Sequence, residues 1–107
     1  MAKNTSPRQQ YCGSTSAAWH PVTLTAGANV AIVGNPLYQI KVYSVFLGAA
    51  SSVNITLQDG STPFTGAIPM TALAFDTQDK PFICSVGNDF VITSTGNAAG
   101  AVFASIN

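Results

Sequence analysis

The sequence predicts an all-β protein, a single antiparallel β-sandwich of about eight short strands with an extended N-terminal arm. Charged residues make up 7% of the 107 residues and Glu is absent, whereas helical surfaces are usually rich in Glu, Lys and Arg. Apolar and polar residues alternate with a period of two in several segments, which is typical of half-buried strands. Turn-forming residues recur about every 8–12 residues, the spacing expected of a sandwich or barrel.

Residues 1–18 are predicted to form the arm, and residues 19–107 the folded domain. The arm is rich in Ser, Thr, Gln and Asn and has no periodic apolar pattern. Its first ten residues contain no apolar run, so we expect no secretory signal. Tyr11 is a candidate anchor for the arm, and a frayed terminus is the alternative interpretation.

The first predicted strands cover residues 19–25 and 29–33, before a Gly34-Asn35-Pro36 turn. Residues 37–47 give the strongest strand signal, because both of its faces are largely apolar, as in a central strand. One face carries Ile40, Val42, Ser44 and Phe46, and the other carries Lys41, Tyr43, Val45 and Leu47.

The second half of the chain continues the pattern after a predicted GAASS loop. Residues 52–58 alternate cleanly, and an Asp59-Gly60 turn follows. Further strands are predicted in the segments 67–75, 81–86, 89–94 and 101–106. The predicted inward-facing residues are Ile40, Val42, Phe46, Val53, Ile55, Leu57, Phe90, Ile92 and Val102.

The scarcity of charge predicts association between copies of the chain. Four basic and four acidic residues leave a net charge of zero, which is too few charges to keep copies apart. A sandwich buries one face of each sheet, so the face with Tyr43, Val45 and Leu47 needs a cover, either the arm or another subunit. We therefore expect a homo-oligomer.

Aromatic residues and the uncovered strand face supply the candidate interface. Trp and Tyr are enriched at protein interfaces, but the same rings are equally able to stack on sugars or to lie in the core. The candidate interface residues are Tyr11, Trp19, Tyr38, Tyr43, Val45 and Leu47.

No catalytic, cofactor or metal site is predicted, and we expect the protein not to be an enzyme. Asp76 and Asp79 lie in a polar turn that lacks the glycine and distal Glu of a calcium loop. His20 is the only histidine, and no nucleophile elbow accompanies it. The balanced charge argues against nucleic-acid binding, and no apolar stretch is long enough to cross a membrane.

Cys12 and Cys84 are the only cysteines, and we predict that they are not bridged. Cys12 lies in the arm, whereas Cys84 lies in the apolar run PFICSV. Synthesis in a cytoplasm would keep both thiols reduced. Thiol titration of the denatured, unreduced protein should find two free groups.

Residues 37–107 resemble small virion proteins of tailed bacteriophages, of the capsid decoration (cement) or head-fibre type. The similarity lies in an Ile/Val-rich strand at 40–46, a second strand at 53–57, GAIPM at 66–70, a P-F strand at 81–82, GNDFVIT at 87–93 and a Gly-Ala-Val-Phe strand at 100–103.

The resemblance implies a jelly-roll-like sandwich, often trimeric, that binds the major capsid protein or another virion protein. It would stabilise the capsid lattice from the virion surface after synthesis in the host cytoplasm. It implies no catalytic residues. The alternative is a receptor- or carbohydrate-binding module of a phage tail fibre or spike.

Overall fold

The computed structural model describes residues 15–77 and 79–107, and these form eight antiparallel strands. The strands are β1 (Thr15–Leu24), β2 (Gly27–Ile32), β3 (Ile40–Asp59), β4 (Thr62–Pro63), β5 (Ile68–Asp76), β6 (Phe82–Ile83), β7 (Phe90–Ser94) and β8 (Ala98–Ile106). The all-β prediction is confirmed. No helix of the described residues has the length and apolarity needed to span a membrane.

All eight strands belong to one curled sheet rather than to two separate ones, so a sandwich is not confirmed. The sheet order is β1-β8-β3-β7-β2, with β4, β5 and β6 also paired to β3. β1 pairs with β8, and β2 pairs with β7. β8 pairs with the first half of β3, and β7 pairs with its second half. Pro21 in β1 and Pro69 in β5 lie on edge strands, where a missing N–H is tolerated.

The sheet bends across the middle of β3. Gly48 pairs with Ala72 and Val53 pairs with Met70, so β3 has four residues between these pairs where β5 has one. The extra residues are the small ones that the sequence indicated as a GAASS loop. The two predicted strands on either side are instead one long strand, bent at residues 49–52.

The bend brings the two ends of β3 to the same short segment of chain. The Cys84 N–H donates to the Ile40 carbonyl (2.9 Å), and the Ser85 N–H donates to the Asp59 carboxylate (3.1 Å). We call this the open end of the sheet, opposite the bend. One hydrophobic core fills the curl, with Val42, Ile55, Leu57, Phe90, Ile92 and Val102 fully buried.

A β-bulge in β3 corrects the predicted faces of residues 43–47. Val42 pairs with Ala104, but Ser44 pairs with Phe103, so two residues of β3 advance for one of β8. An extra residue reverses the inward and outward alternation that follows it. Phe46, predicted inward, is therefore 56% exposed, whereas Val45 is 1% and Leu47 4% exposed.

Val45 and Leu47 therefore do not lie on the outer face that was predicted to need a cover, because both side chains lie in the core. The other predicted inward-facing residues are all buried. β1 includes residues 15–18, which were predicted to belong to the arm, and it pairs with β8.

Candidate interaction surfaces

Four aromatic side chains form a cluster on the outer face of the sheet, which we call the aromatic patch: Trp19, Tyr43, Phe46 and Phe103. The ring centroids of Trp19 and Phe103 are 5.0 Å apart, and those of Trp19 and Phe46 are 6.0 Å apart. Tyr43 contacts Phe103 at 6.4 Å. Trp19 is 50% exposed, so the patch presents a large apolar ring to its surroundings.

Strand register and the bulge together assemble this patch. Trp19 lies opposite Phe103, and Phe103 lies opposite Ser44 on the next strand. The bulge then turns Phe46 outward beside them. Without the extra residue in β3, Phe46 would face the core and Val45 would take its place outside.

A groove of about 350 Å³ lies along one side of the aromatic patch. Trp19 and Phe46 supply its aromatic walls, and Asp76 supplies a carboxylate at the end of β5. Because apolar walls dominate it, the groove suits an apolar or aromatic group with a positive charge beside it.

A second apolar surface lies at the open end of the sheet, far from the bend. Val33, Leu37 and Val86 are all exposed there, Leu37 by 66%. Their loops touch: the Gly87 N–H donates to the Asn35 carbonyl (2.9 Å), and a Cβ added to Gly34 would lie 2.6 Å from the Gly87 carbonyl oxygen. We call these three residues the open-end patch.

Two aspartates hold the loops of the open end in place. Asp59 accepts hydrogen bonds from the Ser85 N–H (3.1 Å), the Ser85 hydroxyl (3.2 Å) and the Asn88 side-chain amide (2.9 Å). Asp89 accepts a bond from the Gly34 N–H (2.6 Å). These carboxylates therefore have structural partners, and charge-assisted bonds of this kind are among the stronger hydrogen bonds.

Cys84 lies beneath these aspartates and is fully buried. Burial, together with the smaller effect of the negative charges of Asp59 and Asp89, raises the pKa of its thiol to about 12. The Cys84 side chain therefore stays a neutral thiol that packs as a small apolar group. Cys12 lies outside the described residues, so the absence of a bridge stays a prediction.

The Cys84 thiol should make the protein lose stability in alkali. Its ordinary pKa is 9.0, so the folded state binds this proton more tightly than the unfolded chain. The contribution is complete below pH 9 and is lost as the pH rises towards 12, by about 1.4 kcal/mol per pH unit. Urea unfolding from pH 8 upward should show the stability of the wild type falling more steeply with pH than that of Cys84→Ala, by this slope. Equal slopes in the two proteins would contradict the prediction.

The structure separates the sequence-predicted interface residues into different places. Trp19 and Tyr43 lie in the aromatic patch, linked through Phe103. Tyr38 lies in the loop of the open end, where its N–H donates to the Asn35 carbonyl (3.4 Å). Val45 and Leu47 are buried, and Tyr11 lies outside the described residues.

The acidic turn follows β5, and the lone histidine lies in β1. Asp76 and Asp79 are exposed at and after the end of β5. Among residues 15–77 and 79–107, no group of three His, Cys, Asp or Glu side chains is placed to hold a metal ion. His20 is half-buried, opposite Val102 of β8.

No protein-family model, curated protein or solved structure matches this chain.

Proposed function

We propose that this protein is a structural virion protein of a tailed bacteriophage, a capsid decoration or cement protein that binds the major capsid protein. It acts through contact surfaces and not as an enzyme. The observation that carries the proposal is the open-end patch, an exposed apolar surface on a body with very few charges. The resemblance of residues 37–107 to phage decoration proteins supplies the virion context.

The open end is suited to docking because it is both apolar and internally fixed. Val33, Leu37 and Val86 lie on loops that are tied to each other and to Asp59 and Asp89 by hydrogen bonds. A preorganised surface loses little conformational entropy when it binds. Exposed apolar groups on such a surface are typical of protein contact sites.

A homo-oligomer, a trimer by resemblance, is part of the same proposal. With Val45 and Leu47 in the core, the subunit contacts fall on the exposed apolar residues instead. Repeated weak contacts with a symmetric lattice then add up to strong binding through multivalency.

Capsids that lack the protein provide the test. We expect the purified chain to co-sediment with them and to raise the temperature at which they rupture. Leu37→Asp should abolish both effects, because it places a charge in the open-end patch. Ser52→Asp is the matched control, since Ser52 is exposed at the bend, at the opposite end. Loss of binding in both variants, or in neither, would contradict the assignment of the open end.

A carbohydrate-binding module of a tail fibre is the second candidate function. The half-exposed Trp19 ring beside a groove favours it, because the apolar faces of sugar rings pack against aromatic rings. Glycan arrays distinguish the two functions. Specific glycan binding that Trp19→Ala abolishes and Leu37→Asp preserves would favour the fibre module over the decoration protein.

A further inference from the structure

We propose that the groove beside the aromatic patch is the docking site of the chain's own residues 1–14. The proposal concerns a different surface from the open-end patch and does not depend on the virion role. It rests on the complementary charges of the two parts of the chain, on the length of chain available, and on the apolar walls of the groove.

The two parts of the chain carry opposite charge. Residues 1–14 contain Lys3 and Arg8 and no acidic residue. The remainder contains two lysines and four aspartates, a formal charge of −2. Near the groove, Asp76 lines the wall, and Asp79 and Lys80 follow in the next turn. The attraction guides docking, although each exposed pair contributes little by itself.

The length of the segment is sufficient to reach the groove. Asp76 of β5 pairs with Ser44 of β3, Ser44 pairs with Phe103 of β8, and Phe103 pairs with Trp19 of β1. Asp76 and Trp19 are therefore separated by three inter-strand spacings. That separation is about 14 Å across the strands, and Trp19 is about 13 Å along β1 from Thr15. Arg8 precedes Thr15 by a reach of about 23 Å when extended, so it can lie beside Asp76 of the same chain.

The segment also contains an aromatic side chain that suits the aromatic walls of the groove. Tyr11 offers an aromatic ring to walls made by Trp19 and Phe46. Attachment in the same chain gives a high effective concentration, which favours this segment over that of a second copy.

Trp19 is the only tryptophan, so its fluorescence reports on the groove directly. In the full-length wild type we expect protected, blue-shifted emission with weak acrylamide quenching at every protein concentration. Tyr11→Ser and Arg8→Glu should each shift the emission to the red and raise the quenching constant severalfold. Gln10→Ser is the matched control and should change neither.

Further measurements distinguish docking of residues 1–14 of the same chain from an empty groove and from docking of a second copy. High salt should weaken the protection, because it screens the attraction between exposed charges. Trp19 that is freely quenched in the wild type would overturn the proposal. Protection that disappears on dilution would also overturn it, since a second copy would then be the occupant. Circular dichroism checks that each variant is folded, and the substituted positions lie outside the described core.

Discussion

Replacing Gly100 with alanine is expected to lower the free energy of unfolding by about 3–5 kcal/mol, which is the upper range for single substitutions. Gly100 of β8 lies opposite Leu47 of β3 at an unusually close approach of the two backbones. An added Cβ would overlap the Phe46 carbonyl oxygen and would lie 2.8 Å from the Phe46 carbonyl carbon and 2.9 Å from the Leu47 Cα. Backbone atoms in the middle of a sheet cannot move aside without breaking the ladder.

Gly66→Ala is the matched control for this substitution. Gly66 has no positive φ and no atom within 4 Å of an added Cβ, so its replacement should change stability by no more than about 0.5 kcal/mol. Urea unfolding followed by circular dichroism measures both variants. A Gly100→Ala protein as stable as Gly66→Ala would mean that β3 and β8 are not this close.

Val45→Asp is expected to prevent folding, whereas Phe46→Asp should leave the protein folded. Val45 is in the core, and burying an unpaired carboxylate costs several kcal/mol. The Phe46 side chain is outside, where an aspartate stays in contact with water, and it loses its contact with the Trp19 ring. The comparison tests the bulge itself, because an uninterrupted strand would give the opposite result.

Expression, circular dichroism and thermal unfolding of the two variants provide the measurement. Ser44→Asp is a useful third variant, since Ser44 lies on the outer face at the wall of the groove. It should behave as Phe46→Asp does. A folded Val45→Asp protein together with an unfolded Phe46→Asp protein would restore the face assignment made from the sequence.

Alternation was sufficient to predict the all-β class and most of the core, because each strand has one buried face. It predicted Val53, Ile55 and Leu57 correctly, since β3 has no irregularity between them. It failed at Phe46 because a bulge inserts a residue without any distinctive residue type. Tyr43 and Val45 are ordinary strand residues, and only the pairing with β8 shows that the count advances by two.

The sequence pattern also could not predict that β3 is one long bent strand. Small residues at 48–52 fit a loop and a bent strand equally well, and long-range pairing to β5 decides between them. The open-end patch gave no periodic signal because Val33, Leu37 and Val86 lie in or beside loops. The aromatic patch contains two of the predicted interface residues, Trp19 and Tyr43. Phe103 and Phe46 were not among them, and Phe46 faces outward only because of the bulge.

Electron microscopy of purified virions with and without the protein tests the central proposal most directly. Wild-type virions should carry extra density at repeated positions on the capsid surface, with the open-end patch of the chain against the capsid protein. Virions made with Leu37→Asp should lack that density, and those made with Ser52→Asp should keep it. Identical capsid maps with and without the protein would contradict the decoration role.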